Sequence, residues 1–337
     1  VQWKDLTRVP LLDENGEPRR TVDGGRIIYV VDDPLDDHTP SGVGDHGNVQ
    51  RYDLLLTNGD GGKSQIFTAT LGKAWDNGLS MRASYTNQDI QEAVAGSSST
   101  AISNYRFPVA IDRQNVRPGT ASYQIEHRFM ADVTYKTEIF NGYTSTFGLF
   151  WERYSGRPWG YVYDSYGDVS FGNQPFGTLG QSSVYLPYIP TGADDPAVAY
   201  EDGFGYDQFM EYLERAGLTG YAGEYLPRNT ERAPWTTNLD FKYTQELPGF
   251  VEGHKGELYI NVRNLIAIFD KDAGQKHVLP YGDNVRELVS AYINDDGQYV
   301  YGTPYNNRAF DLVTQAPTRY LPERSTWQAK IGIRYRF

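Results

Sequence analysis

The sequence predicts an all-β fold built as an antiparallel sheet of long strands, and three observations support this. Apolar and polar residues alternate over several segments of about ten residues, as side chains do along a strand with one apolar face. Asn-Gly pairs join two pairs of these segments, which is the strongest short signal for a β-hairpin. The composition of 27 Tyr, 35 Gly and 6 Trp in 337 residues is typical of a turn-rich β protein.

The strands can be placed in order along the chain. Residues 2–9, 26–31 and 49–57 are candidate short strands, separated by Asp-, Gly- and Pro-rich connections. Three hairpins follow, at 65–86 around Asp76-Asn77-Gly78, at 123–151 around Asn141-Gly142, and at 235–247 with 256–269. A final strand covers 325–337.

The lengths of the connections predict the topology. Short turns alternate with long connections at 88–121, 156–234 and 270–323, and the second of these contains a predicted helix at 206–216 that ends at Gly217. Because successive turns of an antiparallel sheet lie at opposite ends, all short turns share one end and all long loops share the other. Outer-membrane barrels have this asymmetry, with short periplasmic turns and long extracellular loops. We therefore predict that residues 1–337 belong to a transmembrane outer-membrane β-barrel; a soluble sandwich is the alternative that the sorted loops disfavour.

The last strand carries a recognisable ending. Its apolar residues share one parity and its polar residues the other, up to the final residue. The ending resembles the C-terminal signal of bacterial outer-membrane barrels at Lys330, Gly332, Tyr335 and Phe337. That resemblance implies recognition by the barrel-assembly machinery.

Strand parity also predicts which side chains face lipid. The predicted lipid-facing residues are Phe129, Ala131, Val133, Phe147, Leu149, Leu239, Phe241, Ile331 and Ile333. The opposite parity predicts a lumen lined by both signs of charge, which identifies no substrate: Arg82, Arg128, Asp132, Lys136, Asp240, Lys242, Lys330, Arg334 and Arg336.

Several segments point further to a family. Residues 75–79, 126–128, 155–158, 261–265 and 327–335 together resemble the C-terminal barrel of TonB-dependent receptors of the Oar-like (OmpA-related) group. The resemblance implies a 22-stranded barrel with an N-terminal plug, which takes up a bulky ligand with energy from an inner-membrane coupling protein. The sequence shows no plug, no energy-coupling box and no signal peptide at its start. We therefore expect it to be the C-terminal part of a larger chain.

Other classes of function find little support. A net charge of −12 argues against a nucleic-acid surface, and the absence of Cys excludes a thiolate metal site. The five His residues (38, 46, 127, 254 and 277) show no metal-site spacing, so we expect no metal, no cofactor and no catalytic residue. Strand alternation turns His127 away from Glu126 and Arg128, which favours a histidine at the membrane boundary.

The longest loop offers candidate ligand contacts. Its amphipathic rings suit a sugar or a peptide, and the candidates are Tyr185, Tyr188, Tyr200, Tyr206, Tyr221 and Tyr225. An equal alternative is that these rings hold the loop's own fold or lie at the lipid boundary. The expected function is an outer-membrane receptor or transporter that imports or exports a bulky ligand, with oligosaccharide and peptide both open. The alternative is a non-transporting barrel that acts as a surface adhesin or a structural scaffold.

Overall fold

The computed structural model describes residues 1–31, 53–59, 61–94, 96, 98–140, 142–164, 171, 184–279, 285–304 and 316–337. The chain is mostly β, with 49% strand and 10% helix. Within the described residues the strands are β1 (Gln2–Asp5), β2 (Arg8–Pro10), β3 (Tyr29–Val31), β4 (Leu54–Thr57), β5 (Lys63–Ala74), β6 (Leu79–Glu92), β7 (Gly119–Thr120), β8 (His127–Phe140), β9 (Tyr143–Tyr154), β10 (Pro158–Asp164), β11 (Val198–Tyr200), β12 (Glu231–Arg232), β13 (Thr236–Pro248), β14 (Lys255–Arg263), β15 (His277–Val278), β16 (Val285–Ile293), β17 (Tyr299–Gly302), β18 (Arg319–Tyr320) and β19 (Gln328–Arg336). The helices are α1 (Ala101–Arg106), α2 (Tyr206–Ala216), α3 (Ile266–Phe269) and α4 (Pro322–Ser325), with a 3-10 turn at Thr219–Tyr221.

The long strands form one antiparallel sheet, called here the long sheet. Its order is β5–β6–β8–β9–β13–β14–β19, with β7 added beside β6. The path is open in the described part of the chain, where β5 and β19 are edge strands and no closed barrel is found. The three predicted hairpins are confirmed as β5–β6, β8–β9 and β13–β14.

Glycine permits the tightest of these turns. Gly78 has a φ of 86° and Gly142 a φ of 79°, in the left-handed region that residues with a Cβ rarely enter. The partner Asn141 and the candidate strand residues 49–52 lie outside the described residues. The turns that follow β5, β8 and β13 all lie at one end, called the short-turn end. The longer connections leave from the opposite, long-loop end.

Some predicted boundaries are wrong, for local reasons. The strand expected over 256–269 ends at Arg263, because Asn264 takes a φ of 52° and α3 follows. The last strand begins at Gln328, since Pro322 opens α4 just before it. The predicted helix is confirmed as α2, with Gly217 at its C-cap in the left-handed conformation.

The two longest loops build a domain of their own, called here the Tyr-rich domain. It has a five-stranded sheet of order β11–β17–β16–β10–β12, in which β10 pairs β16 and β11 pairs β17 in parallel. The buried side chains of α2, Phe209, Tyr212 and Leu213, pack into its core. The sequence predicted loops here, so this domain is the main addition that the structure makes.

The hydrophobic core lies in the Tyr-rich domain. Its buried cluster draws on β10, β11, α2, β16, β17 and residues 184–189. By contrast, every residue of β5 is exposed, and so is most of β19. Among the described residues no helix is long and apolar enough to cross a membrane.

Candidate functional site

The long sheet has one apolar face that continues across all its strands. One row of hydrogen-bonded neighbours shows this: it runs from Lys73 through Met81, Val133, Leu149, Phe241 and Val262 to Ala329. The next row contains Leu79, Tyr135, Phe147, Tyr243, Ile260 and Ile331. The register therefore brings all nine predicted lipid-facing residues onto this face.

This apolar face is not covered by the described part of the chain. Leu71 is 80% exposed, Ile331 69% and Ile333 75%. Leu149 and Phe129, on the inner strands β9 and β8, are also exposed. An uncovered apolar surface of this extent marks contact with a membrane or with another protein.

The apolar band runs obliquely across the strands. In β5 the band centres on Ala69, four residues toward the long-loop end from Lys73. In β19 it centres between Ile331 and Ile333, three residues toward the short-turn end from Ala329, which lies in the same register row as Lys73. This displacement of about seven residues over six strand spacings corresponds to a strand tilt of about 40°, from the standard rise and spacing of strands.

Aromatic side chains border the band at both ends. At the long-loop end His127 stacks on Trp235 with ring centroids 6.2 Å apart, and its Nδ1 lies 2.9 Å from the Tyr85 hydroxyl. At the short-turn end Phe250 stacks on Tyr335 at 5.5 Å, and Phe337 is 98% exposed. Along β19 the band from Trp327 to Phe337 is about 25 Å tall after correction for the tilt.

The residues of the C-terminal signal have local structural roles. The Tyr335 hydroxyl accepts a hydrogen bond from the Phe250 amide at 3.0 Å, which ties the last strand to the β13–β14 turn. Gly332 makes room for the Tyr259 ring, because a Cβ at this position would lie 2.4 Å from that ring. Lys330 lies over the same ring at 5.9 Å.

The opposite face of the long sheet is polar and carries paired charges. Arg82 and Asp132 form an ion pair at 2.8 Å, and Arg128 pairs with Glu152 on the neighbouring strands. Arg334 pairs with Glu257 at 2.9 Å. These groups have the mixed charge that the sequence predicted for this face.

A groove of about 760 Å³ opens where the polar face meets the segments that follow β14 and precede β19. Its lining has both signs of charge and includes Glu152, Asp240, Arg263, Lys276, Glu323 and Arg324. Burial lowers the pKa of the half-buried Lys276, while the carboxylates of Asp240 and Glu152 oppose that shift. The groove can therefore offer hydrogen-bond donors and acceptors to a polar ligand.

The six candidate ligand-contacting tyrosines are placed differently from one another. Tyr185 and Tyr188 are buried in the core, and Tyr188 donates to Asp195 at 3.0 Å. Burial raises the pKa of Tyr188 to about 12. Tyr225 donates to Asp23 at 2.6 Å. These placements favour the alternative that the rings hold the loop's own fold; the partly exposed ones are Tyr200, Tyr206, Tyr221 and Tyr225.

One important residue, Arg26, was not singled out by sequence reasoning. Its guanidinium is fully buried and lies 4.9 Å from the Phe171 ring centroid and 5.1 Å from that of Tyr185. It donates to the Leu186 carbonyl at 3.0 Å. Gly25 allows this insertion, since a Cβ there would lie 2.5 Å from the Tyr225 ring. Arg26 thus fastens the N-terminal segment to the Tyr-rich domain.

The remaining chemistry of the chain is sparse. Within the described residues no group of His, Asp and Glu is arranged to hold a metal ion, and His38 and His46 lie outside those residues. No family model, no curated protein and no solved structure matches this chain. Its function is therefore inferred from its own sequence and geometry.

Proposed function

We propose that this chain is part of the wall of a transmembrane β-barrel in the bacterial outer membrane, and that this barrel is a receptor and transporter for a bulky ligand. The oblique apolar band is the observation that carries the proposal. Strands of membrane barrels tilt by about 35–45° and carry an outward apolar band about 25 Å tall between aromatic girdles. The long sheet matches this pattern in tilt, height and borders.

The open edges support a larger barrel. In hydrocarbon every backbone N–H and C=O must find a partner, so a membrane sheet cannot end in free edges. Because β5 and β19 are edge strands in the described residues, further strands must pair with them. This is consistent with the C-terminal part of a 22-stranded barrel, as the family resemblance implies.

The two faces then have separate tasks. The apolar face contacts lipid, and the polar face lines the lumen with paired charges. The groove beside Lys276 lies at the long-loop end of that lumen, where an entering oligosaccharide or peptide would meet it first. Coupling to an inner-membrane protein through a plug rests on the resemblance, as does recognition of the last strand by the assembly machinery.

Spin labelling of single cysteines tests the membrane assignment. The chain has no Cys, so each variant carries one label. We expect a label at Leu149→Cys or Ile331→Cys to collide with oxygen and to be shielded from a water-soluble nickel complex. A label at Thr134→Cys, on the polar face, should show the opposite preference. Equal exposure of both faces to the nickel complex would sink the membrane assignment.

A second candidate function has one observation in its favour. The Tyr-rich domain has its own core, which suits a barrel that presents a folded surface module to a partner. Deletion of the energy-coupling protein separates the two functions. A transporter loses ligand uptake in that strain, whereas an adhesin or scaffold keeps its surface binding, and retained uptake would contradict active transport.

A further inference from the structure

One cation lies at the edge of the apolar face, and its position is unusual. Arg153 follows the apolar residues Phe147, Leu149 and Trp151 on the same face of β9. It pairs in register with Phe129 on one side and with Thr237 on the other. It is four residues from the central Leu149, on the side of the long-loop end.

Arg153 has no polar partner among the described residues. Its exposed side chain makes neither a hydrogen bond nor an ion pair with any of those residues. Two acidic residues that flank this edge are engaged elsewhere: Glu152, which precedes Arg153, pairs with Arg128 on the polar face, and Glu126, which precedes β8, accepts from Arg232 at 2.8 Å. An unpaired guanidinium beside a broad apolar surface calls for an anion from outside the chain.

Aromatic rings hold this guanidinium in place. Its central carbon lies 5.4 Å from the ring centroid of Trp235, within cation–π range. Trp235 is also stacked at 6.2 Å on His127 and at 6.4 Å on Phe129, which fixes its orientation. A guanidinium that rests its face on a ring keeps its N–H edges available for the oxygens of a phosphate.

A similar arrangement lies at the opposite edge of the band. Lys73 is four residues from the central Ala69, toward the short-turn end, and its ammonium lies 5.1 Å from the Trp75 ring. The two cation–tryptophan pairs therefore border the apolar band on opposite sides at similar distances from its centre. Those are the levels at which lipid phosphates lie when the band fills the hydrocarbon layer.

We propose that Arg153, held on Trp235, binds the phosphate of an anionic lipid headgroup at the long-loop edge of the apolar band. The site rests on the proposed membrane function. Its ligand is the negatively charged headgroup rather than a soluble anion, because the neighbouring apolar face receives the acyl chains of the same molecule. A partner protein would have to cover that face as well as supply the anion.

Lipid selection by the full-length protein tests the site. The protein is reconstituted in nanodiscs of mixed phosphatidylglycerol and phosphatidylcholine, and the lipids that it retains are counted by native mass spectrometry. We expect the wild type to enrich phosphatidylglycerol, and Arg153→Gln to lose that enrichment by roughly tenfold, as for loss of a charge-assisted contact. Trp235→Leu should lower it less, since the cation remains.

A matched control isolates the site from the overall charge. Lys242→Gln removes the same charge from the opposite face and should leave the enrichment at the wild-type level. Wild-type enrichment in Arg153→Gln, or equal losses in both variants, would overturn the proposal. The label at Leu149→Cys is measured in the same nanodiscs: if it is shielded from nickel while Arg153→Gln changes nothing, the lipid site fails and the membrane assignment stands.

Discussion

The long sheet and the Tyr-rich domain differ in where they place their apolar side chains. The Tyr-rich domain packs its rings inward, so that Tyr163, Tyr299 and Tyr301 are essentially inaccessible to solvent. The long sheet turns Leu71, Ile331 and Ile333 outward. One region therefore covers its own apolar side chains, while the other leaves them uncovered within the described residues, as the proposed membrane function requires. The same contrast predicts that substitutions in the two regions destabilise the protein for different reasons.

The largest effect is expected at Arg26, inside the Tyr-rich domain. Arg26→Ala leaves an emptied aromatic cage and carbonyls without donors, so we expect a loss of about 3 kcal/mol or more in the free energy of unfolding. This loss of stability is measured on the purified protein by limited proteolysis and by near-ultraviolet circular dichroism. The control Arg20→Ala changes an exposed arginine on the same segment and should stay within about 0.5 kcal/mol. Similar losses in both variants would contradict the buried role of Arg26.

A smaller effect is expected on the apolar face at Leu149. An arginine at the middle of a membrane band costs about 2–4 kcal/mol, so Leu149→Arg should lower stability by that amount when unfolding is measured from lipid bilayers. Phe150→Arg is the matched control, because Phe150 lies on the polar face in register between Asp132 and Asp240. If the control is equally destabilised, the two faces do not differ in environment.

A still smaller effect is expected at Gly332, where the last strand meets β14. Gly332→Ala places a methyl group against the Tyr259 ring and should cost about 1–3 kcal/mol through overpacking. The amount of folded, heat-modifiable protein in the membrane is the measurement. Combining the change with Tyr259→Ala should restore much of the loss. Gly220→Ala, which meets nothing within 4 Å, is the control.

The smallest effect concerns pH and Asp195 in the Tyr-rich domain. Burial alone would raise the pKa of this carboxyl, but hydrogen bonds from Thr191, Ala197 and Tyr188 lower it below its ordinary value. A lowered pKa contributes stability above the ordinary pKa of an aspartate, about 3.9, and that stability is lost as the pH falls through the folded-state value. Asp195→Asn should flatten this acid limb of the unfolding curve. If the acid limb of the Asp195→Asn variant is unchanged, other carboxylates cause the loss of stability at low pH.

The sequence predicted the long sheet better than the Tyr-rich domain, and the reason is physical. A strand with one apolar and one polar face alternates visibly, and an Asn-Gly turn needs only two neighbouring residues. The fully buried β10 does not alternate, and it pairs in parallel with β16, more than a hundred residues further along the chain. Such long-range pairing leaves no local signal.

The sequence likewise predicted one part of the candidate site, the apolar face, and missed the buried residues of the Tyr-rich domain. Parity placed the nine residues that were predicted to face lipid on one face of the sheet, since strand register preserves parity from strand to strand. It did not show that Tyr185 and Tyr188 point into a core, because burial in a loop depends on partners far along the chain. Arg26 escaped notice because it only marks the start of the candidate strand 26–31 in the sequence, and an arginine is almost never fully buried unless it is paired.

The tilt of the strands has a consequence for the size of the opening that they would surround. A strand that leans by about 40° occupies about 6 Å of circumference instead of 4.8 Å. The seven main strands of the long sheet would thus form an arc of about 44 Å. A ring of 22 such strands would be about 140 Å around and about 44 Å across at the backbone. The Tyr-rich domain, held at the rim by β9 and β13, would then cover only one sector of that mouth.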